Sequence, residues 1–304
     1  MTVEQVARKA FRRFPRAKMV AKAGLELSWR AKVAFLGATT APIIVTDAHG
    51  ISVILQPSDR RAARYTLLRQ DDCEAFRVMQ EVLRPGDVML DVGANVGVYS
   101  VHAGLLVGPE GRVYAFEPVP TTLDRLRQTI AINTAQNVTV IPKAITNECG
   151  IVQINVYEGE GLSGWSTLGR HPMMRPDGAL VTPDAAVDVE AETLDEFCAR
   201  EGIDHVRLCK VDVEGFEPNV FEGATRMLSE QRIDVVLFEI SDQPLRGQNR
   251  VPLDVFRGVA AHGYQIYRDR DSDSVDPEDE NHQLLGRDAY LHNYFAAVKD
   301  LRDL

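Results

Sequence analysis

The stretch Val88-Met89-Leu90-Asp91-Val92 runs directly into the turn Gly93-Ala94-Asn95-Val96-Gly97. A short apolar run rich in β-branched residues that ends in a glycine-rich turn is typical of a buried strand followed by a helix. The glycines let the backbone bend tightly and approach a ligand closely. This stretch therefore predicts a strand of an open α/β sheet, with a binding site beyond its carboxyl end.

The same alternation of strand and helix continues toward the C-terminus. Strands are predicted at 112–117, 138–141, 206–212, 234–239, 264–268 and 290–298, and helices at 96–107, 120–134, 217–229 and 252–262. Strands with continuous apolar sequence that alternate with helices imply a parallel sheet covered on both faces. The predicted fold class is therefore α/β, with a doubly wound, Rossmann-like sheet.

The N-terminal part has a different pattern. Residues 3–36 predict one or two helices, and the apolar runs 43–45 and 51–55 around Gly50 predict a hairpin. A further helix is predicted at 60–83 because Pro85-Gly86 ends the helical pattern. We expect an N-terminal helical and hairpin extension over 1–60, followed by one domain over 61–304.

Two loops stand out within that domain. Residues 158–186 lack strong periodicity and form a long insertion loop, which in compact domains often binds a ligand or covers a site. Residues 269–281 carry acidic groups at spacings that resemble a calcium loop, but Ser274 replaces the turn glycine and Pro277 occupies a ligand position. We expect a solvated acidic loop at 269–281 and no calcium.

Charge and composition exclude several classes of protein. The net charge is −10, but residues 1–40 hold nine Lys or Arg against two Glu, so the rest of the chain carries −17. A region with this negative charge is a poor binder of nucleic acid, because the phosphate backbone is also negatively charged. No apolar run approaches the roughly 20 residues of a membrane span. The four cysteines are scattered, so neither a zinc site nor a disulfide framework is indicated, and we expect a cytoplasmic location.

Acidic residues occur at the carboxyl ends of four predicted strands, as Asp91, Glu117, Asp212 and Glu239. Four acids at one edge of a parallel sheet predict a polar cleft. The spacing of Gly93 and Gly97 differs from the dinucleotide pattern G-x-G-x-x-G, which weakens an NAD-dependent oxidoreductase as the alternative. An acid at the end of the second strand can accept both hydroxyls of a ribose, so the pattern favours a nucleoside site.

Three motifs in this order resemble the FkbM-type methyltransferase family. They are Leu90-Asp91-Val92-Gly93-Ala94-Asn95-Val96-Gly97, Phe116-Glu117-Pro118 and Lys210-Val211-Asp212-Val213-Glu214-Gly215-Phe216-Glu217. The resemblance covers roughly residues 70–298. It implies a class I methyltransferase fold, S-adenosylmethionine as cofactor, and a small-molecule hydroxyl acceptor such as a sugar, a glycolipid or a polyketide-type natural product.

The resemblance also implies roles for individual residues. The methionine and ribose side of the cofactor would meet the turn that contains Asp91, Gly93, Ala94, Asn95 and Gly97. The ribose hydroxyls would meet Glu117 beside Pro118, and the adenine would lie near Lys143 and Ala144. Strands four and five are neighbours in the class I sheet, which would bring Asp212 close to Glu239.

The candidate catalytic residues are Asp212, Glu239, Glu214 and Lys210. An alcohol is a poor nucleophile while it is protonated, so a general base or a metal ion is useful. We expect Asp212 to be the base, with Mg²⁺ held by Asp212 and Glu239 as the alternative. Candidate acceptor contacts in the long insertion are Ser163, Trp165 and His171. Alternative functions are methylation of a small amine and a non-catalytic scaffold with this fold.

The basic N-terminus predicts an amphipathic helix over residues 1–18, with Phe11 and Phe14 among Arg and Lys. Such a helix could bind anionic lipid weakly at the membrane surface. It could instead pack on the acidic body, or on a second subunit in a homodimer, and we expect packing to be its main role.

Overall fold

The computed structural model describes residues 43–46, 50–55, 73–157, 166–168, 182–286 and 291–304. Within these ranges the strands are β1 (Ile43–Thr46), β2 (Ser52–Leu55), β3 (Val88–Val92), β4 (Arg112–Phe116), β5 (Val138–Ile141), β6 (Ala144–Ile145), β7 (Gly150–Val156), β8 (Ala185–Glu192), β9 (Val206–Val211), β10 (Ile233–Ser241), β11 (Gln265–Tyr267) and β12 (Leu291–Ala297). The helices are α1 (Cys73–Val82), α2 (Val98–Val107), α3 (Pro120–Ile132), α4 (Leu194–Glu201), α5 (Glu217–Glu222), α6 (Thr225–Ser229), α7 (Asp242–Gly247), α8 (Pro252–Ala260) and α9 (Pro277–Leu285).

A seven-stranded sheet with the order β11-β12-β10-β9-β3-β4-β5 forms the centre of the molecule. Strands β3, β4, β5, β9 and β10 are parallel, and β12 is antiparallel to both of its neighbours. The chain winds outward in one direction from β3 to β5 and in the other from β9, so the switch point lies between β3 and β9. This order confirms the doubly wound sheet and the class I methyltransferase fold.

Two apolar cores cover the two faces of this sheet. Met89 and Leu90 are successive residues of β3, both fully buried, and they belong to different cores. Alternate side chains of a strand point to opposite faces, so a strand buried on both sides must be apolar at consecutive positions. This double burial explains the continuous apolar run that identified β3 in the sequence.

The predicted hairpin is present, since β1 and β2 pair as antiparallel strands. It is attached to α3 by hydrogen bonds from the Ser52 N–H to Asn133 Oδ1 (2.9 Å) and from the Ile54 N–H to Thr129 Oγ1 (3.2 Å). The helices predicted at 3–36, including the basic segment 1–18, lie outside the described residues and remain predictions. No helix in the described part of the chain has the length and apolar sequence that crossing a membrane requires.

Two local predictions are wrong. The helix expected at 217–229 is divided into α5 and α6 at Gly223, which lies so close to the Thr146 carbonyl that a Cβ would overlap it. The loop expected at 269–281 ends early, because Asp276 caps α9 by accepting the Glu278 and Asp279 N–H groups. Glu280 is buried there, where it accepts a hydrogen bond from the Tyr294 hydroxyl.

A second, three-stranded sheet with the order β6-β8-β7 was missed in the sequence. Its signal is period-two alternation, as in Val187-Asp188-Val189-Glu190-Ala191, where the apolar side chains share one face. This sheet follows β5 and stands beside the carboxyl ends of the central strands. Strand β8 begins at Ala185, within the range predicted as the insertion loop.

Candidate active site

The carboxyl ends of β3, β4 and β9 open into one cleft, which also borders β6 and β7. Eight of the predicted site residues line it, namely Gly93, Asn95, Glu117, Pro118, Lys143, Ala144, Asp212 and Glu214. The predicted residues Asp91, Ala94, Gly97, Lys210 and Glu239 are not part of this lining. The sequence therefore predicted eight of the 19 residues that line this cleft, together with residues that lie outside its lining.

The two glycines of the glycine-rich turn have different structural roles. Gly93 has a φ of 79° and lies in the cleft wall, where a Cβ would overlap the carbonyl oxygen of Asp212. Gly97 has a φ of 88°, and a Cβ there would lie 2.5 Å from Leu126 Cδ1 on α3. Gly93 thus permits the close approach of two strand ends, and Gly97 permits the packing of two helices.

Glu117 is held rigidly at the end of β4. Its side chain accepts the Asn95 N–H at Oε2 (3.0 Å) and the Val119 N–H at Oε1 (2.9 Å). Burial raises the pKa of Glu117 from 4.5 to about 7, although these two N–H groups and the charge of Arg125 oppose the shift. Each carboxylate oxygen retains a lone pair, so the group can accept hydrogen bonds from a diol.

Lys210 joins two carboxylates behind the cleft. Its Nζ lies 3.5 Å from Asp91 Oδ1 and 3.2 Å from Asp212 Oδ2, and it also lies 5.0 Å from the centre of the Tyr99 ring. Asp91 is fully buried and accepts a hydrogen bond from the Ser100 hydroxyl. Lys210 and Asp91 are therefore placed to support the site, whereas Asp212 reaches the cleft.

The turn after β9 has an unusual backbone. Glu214 has a φ of 54° and Gly215 a φ of 95°, so two consecutive residues occupy the left-handed region. Glu217 stabilises this turn, because its Oε1 accepts the N–H groups of Val213 (3.0 Å) and Gly215 (3.2 Å). Burial raises the pKa of Glu217 to about 7.

Three carboxylates meet beside this turn. One oxygen from each of Asp212, Glu214 and Glu239 lies within 4.8 Å of the other two. Asp212, directly after β9, and Glu239, on β10, are thus close together as predicted. Such a group can accept a proton from a hydroxyl, and its oxygen atoms are also the type that bind a hard divalent cation.

Lys143 lines the cleft beside Ala144. Its ammonium pairs with Glu192 (3.3 Å) and Glu190 (3.5 Å) on β8, which fixes the residue beside Ala144. The predicted acceptor contacts Ser163, Trp165 and His171 lie outside the described residues.

Several cleft residues were missed in the sequence. They are Val92, Phe116, Val119, Thr122, Ile145, Ile154, Ser166, Thr167, Leu168, Val213 and Phe216. Phe216 lies inside the Lys210–Glu217 motif, and Thr122 lies in the first turn of the helix after Glu117. Their positions in or next to the motifs were the only indication in the sequence that they line the cleft. Ser166, Thr167 and Leu168 had no signal beyond the length of their loop.

The chain is similar to known methyltransferases. A family model described as the methyltransferase FkbM domain matches residues 91–266, which include every cleft residue. The 2-O-methyltransferase NoeI of Sinorhizobium fredii is 27% identical over 211 residues, which cover 67% of this chain and 84% of that protein.

Two further relatives are similar over shorter parts of the chain. The 31-O-demethyl-FK506 methyltransferase FkbM of Streptomyces tacrolimicus is 30% identical over 207 residues, covering 62% of this chain and 76% of that protein. The hexuronic acid methyltransferase AglP of Haloferax volcanii is 27% identical over 167 residues, covering 55% of this chain and 61% of that protein.

Proposed function

This chain belongs to the FkbM methyltransferase family, and from that membership we propose that it methylates a hydroxyl group of a small molecule. It is an S-adenosylmethionine-dependent methyltransferase. Two relatives carry an oxygen position in their names, and a third is named for a hexuronic acid. These names support an acceptor of the sugar, glycolipid or polyketide type.

The cofactor is assigned to the part of the cleft that runs from Gly93 to Ala144. The cleft fits it because Glu117 presents a fixed carboxylate beside the glycine-rich turn that contains Gly93 and Asn95. We assign the ribose to Glu117 with Asn95 and Pro118 beside it, and the adenine to Lys143 and Ala144. Asp91, Ala94 and Gly97 would act from behind by keeping the turn in place.

The observation that carries the proposal is the position of Asp212. Asp212 lines the same cleft as Glu117, and its backbone carbonyl adjoins Gly93. Bound S-adenosylmethionine supplies an activated methyl group, so the protein must orient the acceptor and remove its proton. Asp212 would accept that proton, with Glu214 and Glu239 adjacent and Lys210 fixing its carboxylate.

The same three carboxylates could instead hold Mg²⁺. Lys210 favours the base, because its ammonium lies 3.2 Å from Asp212 Oδ2 and already compensates part of the negative charge. A divalent cation at Asp212 would face electrostatic repulsion from that ammonium. We therefore assign the base role to Asp212 and make metal dependence a separate test.

The proposal is tested by the chemistry of the product. The protein is incubated with S-adenosylmethionine carrying a ¹³C-labelled methyl group and with panels of methyl glycosides, macrolide alcohols and amino sugars. We expect the label in a methyl ether, identified by mass spectrometry and carbon NMR. A label found on nitrogen would support the alternative of a small amine and would contradict the proposal.

A further inference from the structure

Residues 166–168 form a short extended segment on the edge of β7. The N–H of Asn155 donates to the carbonyl of Thr167 (2.8 Å), and the N–H of Thr167 donates back to the carbonyl of Asn155 (3.1 Å). All three residues line the cleft, and the side chain of Thr167 also reaches the turn after β9.

The side chain of Thr167 links this segment to the turn after β9. Thr167 is buried, and its Oγ1 donates a hydrogen bond to the carbonyl oxygen of Glu214 at 3.0 Å. Glu214 is the residue with the left-handed backbone, and Glu217 holds the same turn from within through Val213 and Gly215. The turn that carries Asp212 and Glu214 therefore follows a strand of the seven-stranded sheet and is bonded to a residue that pairs with the three-stranded sheet.

The side chains of Ser166 and Leu168 contribute to the cleft beside this turn. The Ser166 hydroxyl is screened from solvent, and it has no hydrogen-bond partner within the described part of the chain. A buried hydroxyl without a partner costs free energy, which a ligand that supplies a donor or an acceptor would recover. Leu168 adds an apolar contact at the same wall.

We propose that residues 166–168 select the acceptor, with Ser166 as its polar contact and Thr167 as a positioning residue for the catalytic turn. This inference rests on the proposed function. Thr167 bonds to Glu214 between Ser166 and Leu168, whereas the cofactor is assigned to the cleft between Gly93 and Ala144. Binding of an acceptor and the geometry of the catalytic carboxylates would therefore be coupled through one hydrogen bond.

The first test needs no acceptor. Hydrogen exchange of the amides in 213–217 is measured with S-adenosylhomocysteine present in the full chain, in Thr167→Val and in Thr167→Ser. Valine keeps the shape and removes the hydroxyl, so we expect exchange to be about two- to tenfold faster, as for the loss of one hydrogen bond. Serine keeps the hydroxyl and should restore the protection. Equal exchange in all three proteins would overturn the role of Thr167.

A matched control is Thr225→Val. Thr225 Oγ1 also donates to a backbone carbonyl, that of Glu222 at 2.8 Å, but it is exposed and does not line the cleft. We expect this variant to leave exchange at 213–217 unchanged. A similar increase in Thr225→Val would show that any lost hydroxyl loosens the turn, and the proposal would then be wrong.

The second test uses transfer of labelled methyl to a panel of methyl glycopyranosides. We expect Thr167→Val to lower kcat with little change in KM for S-adenosylmethionine, and Ser166→Ala to raise KM for the acceptor by about two- to tenfold. Unchanged acceptor KM in Ser166→Ala, with active wild-type protein, would overturn its role and leave the proposed function intact. No transfer by the wild-type protein would count against the proposed function, and the exchange experiment would still decide the role of Thr167.

Discussion

The backbone of Gly93 lies against the carbonyl of Asp212 so closely that no side chain fits between them. The N–H of Asp212 also donates to the carbonyl of Val92 at 3.1 Å, which continues the pairing of β3 with β9 past the strand ends. The turn assigned to the cofactor and the residue assigned as base are therefore parts of one rigid backbone unit. A change that displaces the backbone of either should therefore displace the other, whereas a change confined to the side chain of Asp212 should not.

The first prediction concerns Gly93→Ala. The new Cβ would overlap the Asp212 carbonyl, and φ is 79°, so we expect a large loss of both stability and affinity for S-adenosylhomocysteine. Gly86→Ala is the matched control, because φ is 92° there but no described atom lies within 4 Å of the new Cβ. The control should lose only about 1 kcal/mol of unfolding free energy. Melting temperature and calorimetric titration measure the two effects.

Equal losses in Gly93→Ala and Gly86→Ala would contradict the close packing. They would show that the left-handed backbone, rather than contact with Asp212, determines the requirement for glycine at position 93.

The second prediction concerns the ion pairs of Lys210. Lys210→Met removes the cation between Asp91 and Asp212, and Asp91 is fully buried, so we expect a loss of about 3 to 5 kcal/mol in unfolding free energy. Adding Asp91→Asn to Lys210→Met removes the uncompensated charge and should recover part of the loss. Denaturant titration of the two single variants and the double variant gives the coupling energy.

Strictly additive losses in this cycle would argue against the account. They would mean that the proximity of Lys210 and Asp91 carries no energetic coupling.

The third prediction concerns the pH dependence of cofactor binding through Glu117. Ribose hydroxyls donate to the ionised carboxylate, and burial places its pKa at about 7 in the free protein. Affinity for S-adenosylhomocysteine should be constant above pH 8 and should fall about tenfold for each pH unit well below 7. Glu117→Gln should bind more weakly and lose this dependence. Calorimetry between pH 5.5 and 8.5 provides the measurement.

The unfolding free energy of the cofactor-free protein should fall as pH rises, whereas the affinity for S-adenosylhomocysteine should rise. A carboxyl group whose pKa is raised by folding contributes stability at pH values below its unfolded pKa of 4.5, and that contribution is lost as pH rises through about 7. Glu117→Gln should therefore flatten part of the melting-temperature profile between pH 5 and 8. Glu217, with its pKa also near 7, should account for a further part. Identical profiles for wild type and Glu117→Gln would remove Glu117 as a buried titrating group.

The fourth prediction concerns metal ions. Asp212, Glu214 and Glu239 lie close enough to hold a cation, but Lys210 compensates part of their charge. We expect methyl transfer to survive EDTA at least in part, and Glu239→Gln to retain measurable turnover. Complete loss of transfer in EDTA that Mg²⁺ restores would replace the base assignment with the metal alternative.

The sequence was most informative where local pattern and function coincide. The apolar run 88–92 predicted β3 because burial on both sheet faces demands apolar residues at consecutive positions. The acidic residues near the ends of the predicted strands also indicated that Asp212 and Glu239 lie close together. The carboxyl ends of neighbouring parallel strands share one edge of the sheet.

The remaining features depend on contacts between distant parts of the chain. The contact between Gly223 and the Thr146 carbonyl lies where α5 and α6 divide, and the hydrogen bond from Thr167 to Glu214 connects the two sheets. The role of Lys210 as a link between Asp91 and Asp212 likewise requires β3 and β9 to be neighbours. No periodicity in the sequence encodes such contacts.

The most direct measurement of the central claim is the effect of Asp212→Asn on two quantities in the same protein. Asparagine keeps the size of the side chain and cannot act as a carboxylate base. We expect the variant to bind S-adenosylhomocysteine within about threefold of wild type and its turnover to fall by about 10² or more, which is typical for loss of a general base. Wild-type turnover would contradict the role of Asp212 as base, and loss of cofactor binding would assign the residue to the cofactor site.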